Sequence, residues 1–594
     1  MKQLLSGNEA VARGAYEAGV RLAAAYPGTP STEILENIAQ HYPSIYAEWS
    51  PNEKVAFEVG IGGCMGGGRS LVAMKHVGVN VAADPLMTFA YTGVNAGFVL
   101  ISADDPDMHS SQNEQDNRYF AKFAQIPFLE PSDSQESKDM VTLALEISER
   151  FDTPVMLRMT TRVSHSKGIV ELAEPIQAGS KAFDRNIRKY VMIPAHARAR
   201  HHKVLERLTL LQEYAEETPL NRVELYGTKL GIITGGISYQ YVKEVMPEVD
   251  IFKIGMGFPL PLKKIRQFVE AHERVLVVEE LEPFYEDAVR AAGMITVEGK
   301  KFFGREGELS PHRVAQGLFE AGILDKPPAK GYDPAEVFPR PPVLCPGCPH
   351  RGLFAALKKL KLTVTGDIGC YTLGTLEPLS ALHTCICMGA SIGNAIGMEK
   401  VNGSDAGIVA VLGDSTFLHS GITGLLDAVY NKSNITIIIA DNRITAMTGG
   451  QQHPATGFTL MGEKTRAVDF VEIARALGVE SVRTIDPLNY DETIEVVREE
   501  VARPGPSVIV TTRPCALMPR RIMDSPYEVI LDLCNGCSAC FRIGCPAISP
   551  SREITERGFP KAEIDVSLCT GCTLCAQVCL PEAIVLKLPA GETT

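Results

Sequence analysis

The 594-residue chain has no apolar run approaching the ~18 residues that a membrane span requires. Its first residues, MKQLLSGNEA, lack the apolar segment of about 7–15 residues that marks a secretory leader, so a cytoplasmic protein without a membrane partner is expected. Positive charge is scarce as well. Against 71 Asp and Glu stand 58 Lys and Arg, and the net charge of −13 argues against nucleic acid as a partner, leaving small molecules and proteins. The one basic stretch, His196 to Lys203, reads as a solvated linker and helix start. There is no short-period repeat, which excludes a solenoid. What is present is ordinary for globular protein, 45% hydrophobic and 22% charged, at a length that predicts roughly four domains.

The cysteines are distributed unevenly. Eight of the 15 lie beyond residue 530, as Cys534-x2-Cys537-x2-Cys540-x4-Cys545-Pro546 and Cys569-x2-Cys572-x2-Cys575-x3-Cys579. This is the ligand spacing of a two-cluster bacterial ferredoxin, in which three thiolates of one run hold a cube and the fourth reaches across to the other. The spacing predicts one [4Fe–4S] cluster on Cys534, Cys537, Cys540 and Cys579, and another on Cys545, Cys569, Cys572 and Cys575. The x4 gap and the Leu580 before Pro581 lengthen loops without removing a ligand. A zinc ribbon or a disulfide scaffold would need paired CxxC sets or an oxidising compartment.

Upstream the pattern alternates helix and strand, as βαβ units in parallel sheets do. GNEAVARGAYEAGV reads as a helix, IYAEWS as a strand, NEKVAFEVGIGGCM as a helix, SLVAMK and FVLISADD as strands, and the run from Pro154 through PVMLRMTTRVSH as another. A second block opens at KLGIITGG and continues through IFKIG and RVLVVEE. Pro327, Pro328, Pro334, Pro339, Pro341 and Pro342 then mark a semi-rigid linker. A third block begins at Cys345.

In that block a buried-strand run ends in Gly413-Asp414-Ser415, and a second buried strand, ITIIIA, ends in Asp441-Asn442-Arg443-Ile444. Ligands of parallel sheets sit beyond the carboxyl ends of the strands, where both polar clusters fall. Magnesium takes hard oxygens in octahedral array, and Asp414, the Asn442 amide and the carbonyl of Ile444 would supply three. With the glycine-rich loop Thr448-Gly449-Gly450-Gln451, the arrangement resembles the thiamine diphosphate fold of transketolases and 2-oxoacid decarboxylases. That cofactor also needs a carboxylate to share a proton with its aminopyrimidine ring. Glu53, at the start of a helix rich in small residues, resembles the family pattern; Glu58, one turn on, is the alternative, and an exposed helical glutamate is the plain reading of either.

Thiamine and iron–sulfur signatures in one chain point to the 2-oxoacid:ferredoxin oxidoreductase family. SGNEAVARGAYEAGVRLAAAYPGTPSTEI, PVMLRMTTRVSH, CPGCPHRGLF and GDIGCYTLG, with the cysteine-rich tail, resemble the alpha subunits of its indolepyruvate branch over essentially the whole length. The resemblance implies an α/β chain of several thiamine-enzyme-type parallel-sheet domains with a C-terminal ferredoxin-like 2×[4Fe–4S] domain. Its expected bounds are 1–170 (pyrimidine-type), 171–330 (transketolase-C-like), 340–520 (diphosphate-type) and 525–594 (ferredoxin-like). It implies a catalytic subunit that oxidatively decarboxylates arylpyruvates with coenzyme A and reduces ferredoxin, using thiamine diphosphate, Mg2+ and two or three [4Fe–4S] clusters. Thr29, where relatives read YPITPS and this chain reads Tyr26-Pro27-Gly28-Thr29-Pro30-Ser31, would meet the substrate carboxylate, and Gly28 would open space for an aryl group. Cys345, Cys348, Cys370 and Cys515 either hold a third cluster or are buried or zinc-binding cysteines. Cys64, Cys385 and Cys387 read as small buried residues, and Lys75-His76 as a substrate contact or a structural pair. A smaller beta subunit in an α2β2 assembly is the expected partner. The rivals are a pyruvate or 2-oxoglutarate oxidoreductase, and a non-catalytic electron-transfer subunit with a dead thiamine fold.

Overall fold

The structure is a computed structural model that describes residues 1–177, 179–329, 340–403, 407–518 and 524–587. Of the linker prolines, Pro334 and Pro339 lie outside the described residues. The chain forms two compact units, Met1–Val337 and Phe338–Thr594.

The first unit opens on β1 (Lys2–Ser6), after which Ser6 caps the helix Gly7–Glu17. Its hydroxyl accepts from the Glu9 amide at 3.2 Å, and the Glu9 carboxylate accepts from the Ser6 amide at 2.6 Å. The strands that follow are β2 (Leu22–Ala25), β3 (Tyr46–Trp49), β4 (Ser70–Lys75), β5 (Phe98–Asp104), β6 (Phe128–Leu129) and β7 (Val155–Thr160), with β8 (Lys167–Glu171) returning to pair with β1. Further on come β9 (Arg222–Glu224), β10 (Leu230–Gly235), β11 (Asp250–Ile254), β12 (Met256–Phe258) and β13 (Arg274–Val278). The larger sheet runs β12-β6-β7-β5-β4-β2-β3, and the smaller β13-β10-β11-β9. Every residue of β4, β5 and β7 is buried, which is why these strands read as largely apolar rather than alternating runs.

Three features differ from the sequence reading. The run after Pro154 is a strand only to Thr160, because its neighbour β5 ends at Asp104, the register partner of Thr160; residues Thr161–His165 are helical. The basic stretch lies inside a helix, Pro194–Glu217, and is partly used: Arg200 donates to the Tyr91 carbonyl at 2.7 Å and to the Asp152 carboxylate at 2.8 Å, pinning the helix to the first sheet's layer. Finally, β12 leaves the second block to close the edge of the first sheet, and one core runs through both blocks, from Phe57 and Phe98 to Phe128, Phe252 and Tyr285.

In the second unit β14 (Thr363–Gly366), β15 (Thr384–Cys385), β16 (Ile408–Gly413), β17 (Thr436–Asp441), β18 (Ser481–Ile485) and β19 (Ser507–Thr512) form an all-parallel sheet ordered β15-β14-β16-β17-β19-β18. The tail adds two antiparallel ladders, β20 (Tyr527–Val529) with β23 (Ile584–Leu586) and β21 (Ile548–Ile554) with β22 (Pro560–Ile564). It is built into this unit: Ile543 and Leu574 share a core with Leu353, Phe354 and Leu357, and the buried Arg351 guanidinium donates to the carbonyls of Ile543, Gly544, Leu344 and Cys345. No helix among the described residues is long and apolar enough to cross a membrane.

Candidate active site

In each large sheet the strand order reverses beside one early strand. In the first unit β2 leads outward to β3, while β4 lies on its other side; in the second, β14 leads to β15, and β16 lies opposite. The crevice beyond the carboxyl ends at such a point is where open parallel sheets take ligands.

At the first crevice, the loop Tyr26–Ser31 follows β2 and Lys75 ends β4. Thr29 is half-buried. The space beside Gly28 is not vacant for an aryl group, because a Cβ there would stand 3.1 Å from the Lys75 Cβ. Glu53, 6% exposed, opens the helix Glu53–Met65, whose first turn is capped by Asn52 accepting from the Val55 amide at 2.9 Å. Its carboxyl packs on the backbone of Gly78, where an added Cβ would lie 2.8 Å from Oε1. Glu58 points outward and pairs with Lys54. His76 is fully buried, its Nε2 3.2 Å from the Asn113 carbonyl, and burial holds its ring near pKa 4, a neutral structural imidazole.

At the second crevice, Gly413 ends β16 against the Tyr371 ring, which a Cβ would meet at 2.8 Å. Asp414 and Ser415 are buried; Asp414 Oδ2 lies 3.2 Å from His453 Nε2, and Oδ1 accepts from the Ser415 amide at 2.7 Å. One strand over, Asn442 is buried, its Nδ2 3.3 Å from His350 Nε2 and its Oδ1 accepting from the Ile444 amide at 3.1 Å. Arg443 turns the chain there at φ 64° and leaves Ile444 half-buried. Burial and the neighbouring Asp414 carboxylate push Asp441 up to about 6. Two buried carboxylates and an amide oxygen at adjacent strand ends are a donor set that suits a hard divalent cation. Asp367, after β14, accepts from the amides of Gly389 (2.9 Å) and Ser391 (3.1 Å), fixing the start of the helix Ala390–Asn402. His350, Tyr371 and His453 were not singled out from the sequence; no local spacing marks them.

Four thiols border this crevice. Burial, with Cys345 and Cys370 nearby, pushes Cys348 up to about 12; burial, with Cys515 and Cys345, pushes Cys370 up to about 11. Cys515 is half-buried, and its amide donates to the Asn442 carbonyl at 3.0 Å. In the tail, Cys534, Cys537, Cys540 and Cys579 line one cavity, and Cys545, Cys569, Cys572 and Cys575 line a second, which also reaches Pro346 and Gly347. Cys537 is exposed. Among the described residues no group of three or more His, Cys, Asp or Glu closes on a single-ion site. Cys64 is buried, its Sγ 2.9 Å from the Ala96 carbonyl, but Cys385 is only half-buried and Cys387 is exposed, because the chain leaves the sheet edge after β15.

Residues 13–212 match the family of pyruvate flavodoxin/ferredoxin oxidoreductase thiamine diphosphate-binding domains, and residues 367–511 the C-terminal thiamine pyrophosphate-binding domain of thiamine pyrophosphate enzymes. Indolepyruvate oxidoreductase subunit IorA of Archaeoglobus fulgidus is 42% identical over 617 residues, covering 98% of this chain and 97% of that one. The IorA subunit of Thermococcus kodakarensis is 42% identical over 624 residues, covering 97% and 96%. This chain belongs to the indolepyruvate oxidoreductase IorA family. It is thereby a chain of a thiamine-dependent oxidoreductase, and the two matched thiamine-binding segments include Thr29 and Glu53 in the first and Asp414 and Asn442 in the second. More distantly, 2-oxoglutarate synthase subunit KorA of Methanothermobacter thermautotrophicus is 25% identical over 349 residues, covering 50% of this chain and 92% of that one.

Proposed function

We propose that this chain is the catalytic alpha subunit of an enzyme that oxidatively decarboxylates arylpyruvates, indolepyruvate among them, with coenzyme A, releasing CO2 and an aryl-acetyl-CoA and reducing ferredoxin. Within it, residues 1–170 are a pyrimidine-type and 340–520 a diphosphate-type thiamine domain, 171–330 a transketolase-C-like domain and 525–594 a ferredoxin-like domain. Bound thiamine diphosphate supplies a nucleophilic carbon and an electron sink for decarboxylation. Glu53 shares a proton with the cofactor's aminopyrimidine ring, a role for which burial suits it better than the exposed, ion-paired Glu58. Asp414, Asn442 and the Ile444 carbonyl hold Mg2+, with Gly413 and Ser415 shaping the diphosphate end, and Thr29 meets the substrate.

Cys534, Cys537, Cys540 and Cys579 hold one [4Fe–4S] cluster, and Cys545, Cys569, Cys572 and Cys575 the other. The observation that carries this part is the separation of eight thiols into two cavities within the unit that contains Asp414. Cys345, Cys348, Cys370 and Cys515 hold a third cluster next to the diphosphate end; the mutual influence of their thiols supports it. The Cys545 cavity touches the Cys345–Cys348 loop and Cys537 of the other set is exposed, so clusters held by these thiols would supply one-electron carriers between the diphosphate end and the surface. The chain works with a smaller beta subunit as α2β2 in the cytoplasm.

The test is an anaerobic turnover panel on the complex with indolepyruvate, phenylpyruvate, pyruvate and 2-oxoglutarate, coenzyme A and ferredoxin. Aryl substrates are expected to lead in kcat/KM. A preference for pyruvate or 2-oxoglutarate overturns the substrate reading, and absence of thiamine diphosphate from an assembly that still passes electrons overturns the catalytic one.

A further inference from the structure

We propose that Lys75 is the cation that recognises the substrate's carboxylate, and that glycine stands at position 28 to let the Lys75 stem lie along the Tyr26–Ser31 loop. This rests on the thiamine-dependent reading above. Lys75 ends β4 and the loop follows β2, so the two face each other across the first unit's switch point. The fit is close: a Cβ on Gly28 would lie 3.1 Å from the Lys75 Cβ and 4.0 Å from its Cδ. Glu53 belongs to the same corner, because its carboxyl packs on Gly78, three residues beyond Lys75.

Lys75 is 8% exposed and, among the described residues, has no carboxylate within 4.0 Å. Its ammonium donates to the Ser110 carbonyl, and none of its other protons meets a described acceptor. The nearby Asp105 carboxylate is engaged elsewhere, accepting from the Ser110 amide (2.9 Å), the Ser111 hydroxyl (2.5 Å) and the Thr161 hydroxyl (2.7 Å). Burial holds the Lys75 pKa down to about 8 in spite of Asp105. A buried ammonium whose neighbouring carboxylate, Asp105, is held by other donors costs stability, and such a cost is retained where a ligand repays it.

The chemistry of the ligand follows from what must enter this corner. The aminopyrimidine half of thiamine carries no anionic group, and its diphosphate belongs to the Asp414 end. The pantetheine end of coenzyme A is uncharged. The carboxylate of a 2-oxoacid is the remaining anion that must come within reach of Glu53. It arrives charged and departs as neutral CO2, so the contact works on substrate binding and its loss falls on KM rather than kcat.

Lys75→Gln in the intact holoenzyme complex is expected to raise KM for an arylpyruvate roughly 10- to 100-fold, the effect of losing a charge-assisted hydrogen bond. Thiamine diphosphate content stays at the wild-type level. Inhibition by a 3-arylpropionate against its amide reads the charge directly: wild type prefers the carboxylate, and Lys75→Gln loses that preference. Gly28→Ala, which presses on the lysine stem, raises KM several-fold in the wild-type background and not in Lys75→Gln. The inference falls if Lys75→Gln keeps its KM and its preference for the carboxylate. It also falls if Lys75→Gln loses its cofactor or its fold while a stable Gly28→Ala has wild-type KM. If arylpyruvates are not substrates but another 2-oxoacid shows the same dependence on Lys75, the proposed substrate class fails and the assignment of Lys75 stands.

Discussion

Gly78→Ala is the most discriminating single methyl that can be added to this protein. The new Cβ would lie 2.7 Å from the Glu53 Cγ, 2.8 Å from Oε1 and 3.0 Å from Cδ. Ordinary contact begins near 3.4 Å, so the carboxylate must retreat by about 0.6 Å, the difference between 3.4 and 2.8 Å. A 1 Å misplacement of a catalytic group costs on the order of 10²-fold. The predicted fall in kcat is therefore about 10-fold or somewhat more. Stability should fall by about 0–2 kcal/mol, since overpacking costs about 1–3 kcal/mol and the helix His76–Val81 regains about 1 kcal/mol from Gly→Ala.

Three companions locate the effect. Glu53→Gln keeps the cofactor and loses about 10²–10⁴-fold in turnover, the range of a positioned acid–base group. Glu58→Gln removes only an exposed helix pair with Lys54, within about 0.5 kcal/mol of stability, and leaves turnover intact. Asp414→Ala loses thiamine diphosphate and magnesium. The assay is anaerobic turnover alongside bound thiamine diphosphate and thermal unfolding of each variant. Wild-type rates in Gly78→Ala, or a Glu58→Gln defect with an active Glu53→Gln, would refute the assignment of Glu53.

Two further outcomes follow from packing and charge. Arg351→Met strands four carbonyls that one guanidinium now satisfies, so the second unit should lose about 3 kcal/mol or more and the tail should become the first segment released by limited proteolysis; unchanged unfolding and proteolysis would show the tail held by other contacts. The Glu33 carboxylate, 3.6 Å away, raises His165 above its ordinary pKa, so its contribution is full below about pH 6.5 and vanishes as pH rises through the raised value. His165→Gln should lower stability slightly at pH 6, by less than about 1 kcal/mol for so exposed a pair, and not at pH 9.

What the sequence made legible was local. The fully buried β16 and β17 read as strands because a parallel sheet covers both their faces, and the polar groups at their ends fell where such strands stop. What it hid depends on register between distant segments. Cys515 stands far along the chain from Cys345, Cys348 and Cys370, yet β17 and β19 are neighbours with Asp441 opposite Thr512, and the chain leaving that ladder brings the Cys515 amide to Asn442. His453 reaches Asp414 from a loop with no repeating pattern, and β12 joins a sheet formed mainly by residues more than a hundred positions earlier. The exposure of Cys387 was equally hidden, since a lone cysteine is small and apolar in either setting.

The two switch points solve one problem twice. In the first unit a glycine on the loop after β2 makes room for the Lys75 stem at the end of β4, and the buried Glu53 stands in the same corner. In the second the order is reversed: Gly413 at the end of β16 makes room for Tyr371, which follows β14, and the buried Asp414 stands next to it. In each case a side chain from one strand end fills the groove only because its neighbour across the reversal has none. The two corners differ in electrical character. A buried ammonium near a buried carboxylate suits an anionic ligand. Paired carboxylates with an amide oxygen suit a divalent cation. The chemistry at each corner thus follows from which strand end carries the glycine and which carries the charge.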